Sequence, residues 1–432
     1  PTDSKEYLRS QIIDKVLTGR WTALPSFVGI MTMVFWLTFD GIGGWLQEQM
    51  EVAIEWFTEQ TDSFLSSIDI APAIHSLVID GIYSGIGTVI VFLPLILMLF
   101  FFLSIIEDSG YMARVAFMLD RIFRRFGVSG RAFMPMIMGF GCNVPAIMAT
   151  RAIESRSSRL ITILITPFMS CSARLPVLVL FAGAFFPNHA ALVLICLYLL
   201  GIAVAIVTAR LLRLTKFKKD ETPFVMELPP YRMPTLQATI RHMWDKCALY
   251  LKKIGSIILL STIVIWFLGY YPRPKENAEV PANVILNECV NSQADTAVAT
   301  EIPEGINENS FIGMIGHAIE PVMKPLGLNW RSSIAILTSI PAKELVVSTL
   351  GVLYNSSSDE GIEQDIKASG DFTPRSAMAF MVFILLFFPC IATVASIAEE
   401  TKSKGWAIFS IVYNTAIAWL LAFIAYTIGG IL

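Results

Sequence analysis

The sequence predicts an all-α polytopic membrane protein, an inverted-repeat-like bundle with broken, re-entrant gate helices, and three observations carry that expectation. The 432-residue chain is 55% hydrophobic and 16% charged, where soluble domains carry about a quarter charged residues. Several stretches run about 20 residues with few charges, the length that crosses about 30 Å of hydrocarbon; about seven to nine such segments are expected. Two apolar segments are interrupted, at Gly139-Phe-Gly-Cys-Asn-Val-Pro-Ala-Ile-Met-Ala-Thr-Arg151 and Pro167-Phe-Met-Ser-Cys-Ser-Ala-Arg-Leu-Pro176. A helix ended at membrane depth frees carbonyls and amides that lipid cannot satisfy, so such breaks persist where they line a cavity or bind a solute. That points to a transporter.

Along the chain, residues 4–21 read as an amphipathic helix, with Leu8, Ile12, Ile13, Val16 and Leu17 on one face, lying on the cytoplasmic membrane surface as a first unit, 1–22. A first membrane half, 23–213, begins with a span at 23–46 bearing Pro25 and Asp40. An acidic stretch follows (Glu48, Glu51, Glu55, Glu59, Asp62, Asp69, Asp80), then a span at 83–106, kinked at Pro94 and ending at Glu107 and Asp108. Residues 110–131 carry Arg114, Arg121, Arg124, Arg125 and Arg131, which the positive-inside rule makes cytoplasmic and the acidic stretch external.

Arginines on both sides of 132–150 predict a re-entrant hairpin, with a full crossing as the alternative. A span at 160–186 holds the second interruption, and one at 189–212 returns to a basic connector, 214–253, with Lys216, Lys218, Lys219 and Arg232. The second half, 254–432, has a span at 254–271 after Lys252 and Lys253, an external loop at 272–330, and an apolar segment at 332–353 holding Ile340-Pro-Ala-Lys-Glu344. Spans at 376–398 and 405–431 close it. No signal-peptide pattern opens the chain, and the missing initiator Met reads as a fragment of something longer.

The halves echo each other. Val144-Pro145-Ala146 matches Ile340-Pro341-Ala342, and Cys171-Ser-Ala173 matches Cys390-Ile-Ala392; the second interval is longer by roughly the polar insert 355–375. If the second hairpin enters from outside, the halves are inverted, with the site at their interface.

The six cysteines form no disulfide-rich pattern, and no C-x-x-C, H-E-x-x-H or P-loop occurs. Cys196 reads as a packing residue; Cys142, Cys171 and Cys390 lie beside prolines or breaks. The strings Glu107-Asp-Ser-Gly-Tyr-Met-Ala-Arg114, Gly139-Phe-Gly-Cys-Asn-Val-Pro-Ala146, Met169-Ser-Cys-Ser-Ala-Arg174, Ala342-Lys-Glu344 and Pro389-Cys-Ile-Ala-Thr393 resemble the membrane domain of the FeoB ferrous iron transport family. The resemblance implies uptake of Fe²⁺ across a bacterial inner membrane through two gate regions. It also implies an N-terminal GTP-binding domain, using GTP and Mg²⁺, and small accessory proteins as partners. No G-x-x-x-x-G-K-[ST] occurs here, so any GTPase activity is expected outside this chain, which is itself no enzyme. A homo-oligomer stays open, and nothing points to nucleic acid.

Soft, graded donors suit a metal in transit. Cys142, Cys171 and Cys390 are the expected ligands, backed by Asn143, Ser170 and the carbonyls before Pro145 and Pro341. Met138, Met148 and Met169 are better read as packing. Arg174, three residues after Cys171, favours thiolate and is expected to pair with Glu344; Lys343 joins this gating set. Glu107 and Asp108, like Glu399 and Glu400, read as solvated helix ends with local ion pairs or as cation-collecting mouths. His75, His189 and His317 lack metal-spaced partners. Thiolate sites favour Zn²⁺ or Cu, so iron rests on the resemblance. The alternatives are a transporter of another divalent metal or of a nucleoside-like solute. An intramembrane protease lacks its motifs, and a plain anchor has no need of Arg174.

Overall fold

The computed structural model describes residues 22–68, 71–125, 130–215, 231, 235–250, 255–272, 310–354 and 359–429. The surface helix of 1–22, most of the basic connector, Lys252 and Lys253, and most of the loop 272–330 with Cys289 lie outside the described residues. No strand occurs among those described. Among the described residues six segments are long and apolar enough to cross a membrane, and Ser256–Tyr270 is a shorter apolar helix.

The first region divides differently from the expected span at 23–46. Helix α1 (Ala23–Phe39) stops, the backbone leaves helical geometry at Gly41 (φ −84°, ψ −125°), and α2 (Ile42–Ser67) carries the acids from Glu48 to Asp62. Gly43 allows the tight approach at this break, because a Cβ on it would lie 1.9 Å from the Thr38 carbonyl oxygen. Together the helices form one 43-residue segment, Pro25–Ser67, long and apolar enough to cross a membrane, with Gly43 and Leu65 buried. Helix α3 (Pro72–Ser76) passes through a π-helical turn, Leu77–Tyr83, into α4 (Ser84–Asp108), which continues through Pro94. Helix α5 (Tyr111–Arg125) follows.

Helices α6 (Phe133–Gly141) and α7 (Asn143–Ala149) are the two arms of a re-entrant hairpin. Arg131, before α6, donates to the Ala152 carbonyl (3.2 Å) and Glu154 (2.7 Å), after α7, so the segment enters and leaves at one end. The arginine-flanked reading is therefore found, and the full crossing is not. Helices α8 (Arg156–Ile165) and α9 (Leu175–Phe185) make one broken crossing, and α10 (Ala190–Thr215) returns. Helix α10 buries Val193, Leu197, Gly201, Ala205 and Ala209 while exposing Leu192, Ile195, Leu199, Val207 and Leu211. Small residues inside and large aliphatics outside are the pattern of a helix facing lipid.

After α11 (Leu236–Tyr250), α12 (Ser256–Tyr270) and α13 (Phe311–Met323), a second hairpin forms from α14 (Trp330–Thr338) and α15 (Leu345–Leu353). Its arms are joined by a Thr349–Thr338 hydroxyl bond of 2.9 Å, and the Arg331 guanidinium lies 5.3 Å from the Tyr354 ring. Arg331 and Tyr354 both bond to Asp371 at 2.9 Å. Helix α16 (Asp359–Ala368) occupies the insert, and α17 (Pro374–Leu386) and α18 (Ile391–Thr401) form the second broken crossing before α19 (Lys404–Ile428). Helix α17 is apolar all round and buried from Ala379 to Leu386, the mark of a central helix.

The two broken crossings lie antiparallel. Arg159, at the start of α8, meets Glu400, at the end of α18, at 2.7 Å. Phe181, in α9, meets Phe380 and Phe372, at the start of α17, with ring centroids 4.8 and 5.0 Å apart. The first hairpin sits at the Glu400 end through Arg151, the second at the Asp371 end through Arg331. The halves are therefore inverted relative to each other.

Candidate functional site

Four helix breaks face one another at the centre of the bundle. Between α6 and α7, Cys142 is extended (φ −152°, ψ 130°). Between α8 and α9, Cys171 is extended (φ −76°, ψ 161°) ahead of a tight 3₁₀ turn, Ser172–Arg174. Residues 339–344 form the turn between α14 and α15, and Cys390 (φ −55°, ψ 158°) starts α18. Pro167, Pro341 and Pro389 lie beside three of these points and cannot donate a helical amide, while Pro176 sits in the first turn of α9, where a missing amide is tolerated.

A cavity of about 320 Å³ opens between the breaks. Its wall includes Cys142, Asn143, Cys171, Arg174, Lys343, Glu344 and Cys390, together with Pro341. Each cysteine is free and half-buried, and Cys390 Sγ lies 3.2 Å from Thr393 Oγ1. Asn143 is buried, and its Oδ1 has no hydrogen-bond partner. Phe39 and Gln47 also line the cavity, so the α1–α2 break, which the sequence reading missed, closes one side. No proline marks it; the Gly41, Gly43, Gly44 cluster is the signal that was available.

Several expected site residues fall elsewhere. Ser170 is buried but off the wall, and Ser172 takes its place. Pro145 lies within α7, buried and away from the cavity. Met138 and Met169 pack in hydrophobic clusters. Glu107 and Asp108 are exposed at the end of α4, with Ser104 donating to Asp108 at 3.4 Å. His75 pairs with Asp62 at 2.8 Å and His317 with Glu320 at 3.2 Å. Among the described residues no three His, Cys, Asp or Glu side chains converge as a metal cage.

The expected Arg174–Glu344 ion pair does not form. Arg174, fully buried, donates to the carbonyls of Pro167 (3.1 Å), Leu385 and Phe387 (3.0 Å). Those are the carbonyls that the breaks free, so the guanidinium satisfies backbone rather than a carboxylate. Lys343, also buried, donates to Ser339 Oγ (3.1 Å) and sits 4.4 Å from the Phe387 ring centroid. Within each half the two breaks are tied directly: Ser172 Oγ donates to the Gly141 carbonyl (3.0 Å), and Ile391 N–H to the Ile340 carbonyl (2.9 Å). Gly201 of α10 allows close approach here, since a Cβ would lie 2.8 Å from the Phe168 carbonyl oxygen.

Glu400 is no solvated helix end. Its side chain is 3% exposed and bonds to Arg151 (2.5 Å) and Arg159 (2.7 Å) of the other half. Sequence spacing held no sign of a partner so far away.

Side-chain caps are unevenly distributed along the bundle. Ser155, Ser310, Asn329 and Thr373 cap α8, α13, α14 and α17 through their side chains. The starts at Cys142, Cys171, Glu344 and Cys390 have no side-chain cap.

A family model described as gate, nucleoside recognition, matches residues 89–185 and 251–404 of this chain. A second, described as the C terminus of ferrous iron transport protein B, matches 194–246. A Porphyromonas gingivalis protein named Fe(2+) transport protein A/Fe(2+) transporter FeoB fusion protein is 48% identical over 96% of this chain and 51% of its own length. Proteins named Fe(2+) transporter FeoB are similar too: one from Staphylococcus aureus at 42% over 99% of the chain and 60% of its own length, one from Helicobacter pylori at 38% over 96% and 65%. The chain thus spans about half to two-thirds of the length of these relatives. No solved structure matches it.

Proposed function

The chain belongs to the FeoB family, with both its gate region and its FeoB C-terminal region, and we propose that it forms the ferrous iron path of such a transporter. The observation that carries the reading is that three cysteines, one from each of three helix breaks, line one cavity between inverted halves. Relatives named for Fe²⁺ transport support iron as the substrate. Fe²⁺ crossing the bacterial inner membrane into the cytoplasm sheds water and meets the sulfurs of Cys142, Cys171 and Cys390, with Asn143 Oδ1 as a hard donor. Pro341, Lys343, Glu344 and Arg174 hold the breaks in shape.

GTP and Mg²⁺ act through a GTP-binding domain outside this chain, and the FeoA part of one relative suggests an accessory partner. The arginine-rich end, with Arg131, Arg151 and Arg159, faces the cytoplasm. Anaerobic uptake of labelled Fe²⁺ into liposomes tests the reading, comparing this chain with a Cys142/Cys171/Cys390→Ser triple variant. Uptake that the triple variant abolishes is expected; equal uptake by both removes the cysteines from the path. If neither takes up iron, adding the GTP-binding domain separates a missing module from a wrong substrate.

A further inference from the structure

We propose that the cavity between the breaks is also an anion site, holding a small inorganic anion of the halide class beside Arg174 and Lys343. Arg174 is 0% exposed and Lys343 2% exposed, and both line the cavity. Among the described lining residues Glu344 is the single carboxylate, and it forms no ion pair with either cation. The fixed side-chain charge on this wall is therefore positive.

The donors are left incomplete in a way that an anion completes. Both Arg174 Nη groups bond to carbonyls, but Nε is buried with no partner. Lys343 carries three N–H groups and has one hydrogen-bond acceptor, Ser339 Oγ, with aromatic faces beside it. Buried charged donors without acceptors are costly, and the cost falls when an anion enters.

The surrounding backbone adds the same sign. The start of α15 at Glu344, the start of α18 at Cys390 and the turn leading into α9 at Cys171 all reach the cavity wall without a side-chain cap. These starts turn the positive pole of their helices towards the cavity, with Ile391 N–H already bonded to the Ile340 carbonyl.

The anion site stands independently of iron. Resting on the permeation reading, it further explains how a divalent cation passes the buried Arg174 guanidinium: the anion offsets it. Equilibrium binding of radiolabelled iodide to the purified chain in detergent, with no iron present, tests it. Saturable binding competed by chloride is expected. Lys343→Met is expected to weaken binding at least about tenfold, the loss of one charge-assisted hydrogen bond, and Glu344→Gln to tighten it severalfold. Absence of saturable binding in the unaltered chain overturns the proposal. So does an unchanged affinity in Lys343→Met. If that variant does not fold, Glu344→Gln decides alone, and unchanged or weaker iodide binding there overturns it. Iodide binding without iron uptake, even once the GTP-binding domain is added to the liposome assay, would leave the anion site intact and remove the iron path.

Discussion

In the first half the residue after the break cysteine, Ser172, holds the facing break through its hydroxyl; in the second half the equivalent residue, Ile391, does so through its backbone amide. The first half also gives, and the second receives. Beyond Pro167 of its own break, Arg174 satisfies Leu385 and Phe387 at the end of α17. No side chain of the second half returns the favour at the first half's breaks among the contacts described. Two regions with the same topology thus meet the same need, freed backbone in a dry interior, with different chemistry. The first is held by side chains and is vulnerable to substitution; the second is held by backbone and by a cation lent to it.

Breaking the loan is the severest way to disturb this pairing. Arg174→Met strands three carbonyls at once, and a loss of about 3–5 kcal/mol is expected in thermal or denaturant unfolding in detergent. A loss below about 1 kcal/mol would show that the second break supports itself. Glu400→Gln comes next. Its partners Arg151 and Arg159 are partly exposed, so about 1–3 kcal/mol is expected, and the difference from the unaltered protein should shrink in high salt.

Ser172→Ala sharpens the contrast within each half. It removes the first half's tie and is expected to cost about 1 kcal/mol. Ile391→Val keeps the amide that makes the second half's tie, so its cost should be that of one methylene, about 0.5–1.5 kcal/mol, with iron uptake intact. Equal loss of uptake in both variants would erase the distinction. The smallest effect is expected from Thr373→Ala, about 0.5–1 kcal/mol for the reciprocal Thr373–Ser376 cap that starts α17 far from the cavity.

The breaks themselves were readable from the chain, because proline, glycine and cysteine in an apolar run announce a local failure of helix. The first hairpin's fold-back was readable too, since Arg131 and Arg151 flank it and charge marks an end of a crossing. The α1–α2 break escaped because Asp40 and Gly41 are unremarkable at what looked like a span's end. Arg174's role escaped for a different reason: its acceptors are backbone carbonyls, which no residue type advertises, so Glu344 looked like the natural partner. Glu400 was misread because its arginines lie in the other half of the chain. Ser170 and Ser172 flank the same cysteine, and which of them turns inward depends on the tight turn after Cys171, a detail of two dihedral angles.

The antiparallel crossings can also be viewed as a beam on a fulcrum. Arg174 pins them near the middle. One tip is fastened by charge, Glu400 between two arginines, the other by aromatic rings, Phe181 edge-on to Phe372 and tilted against Phe380. Dissolved salt weakens the first fastening and leaves the second untouched or firmer. The ionic strength on either side of the membrane therefore acts as a weight on the beam, favouring release of the charged tip over the aromatic one.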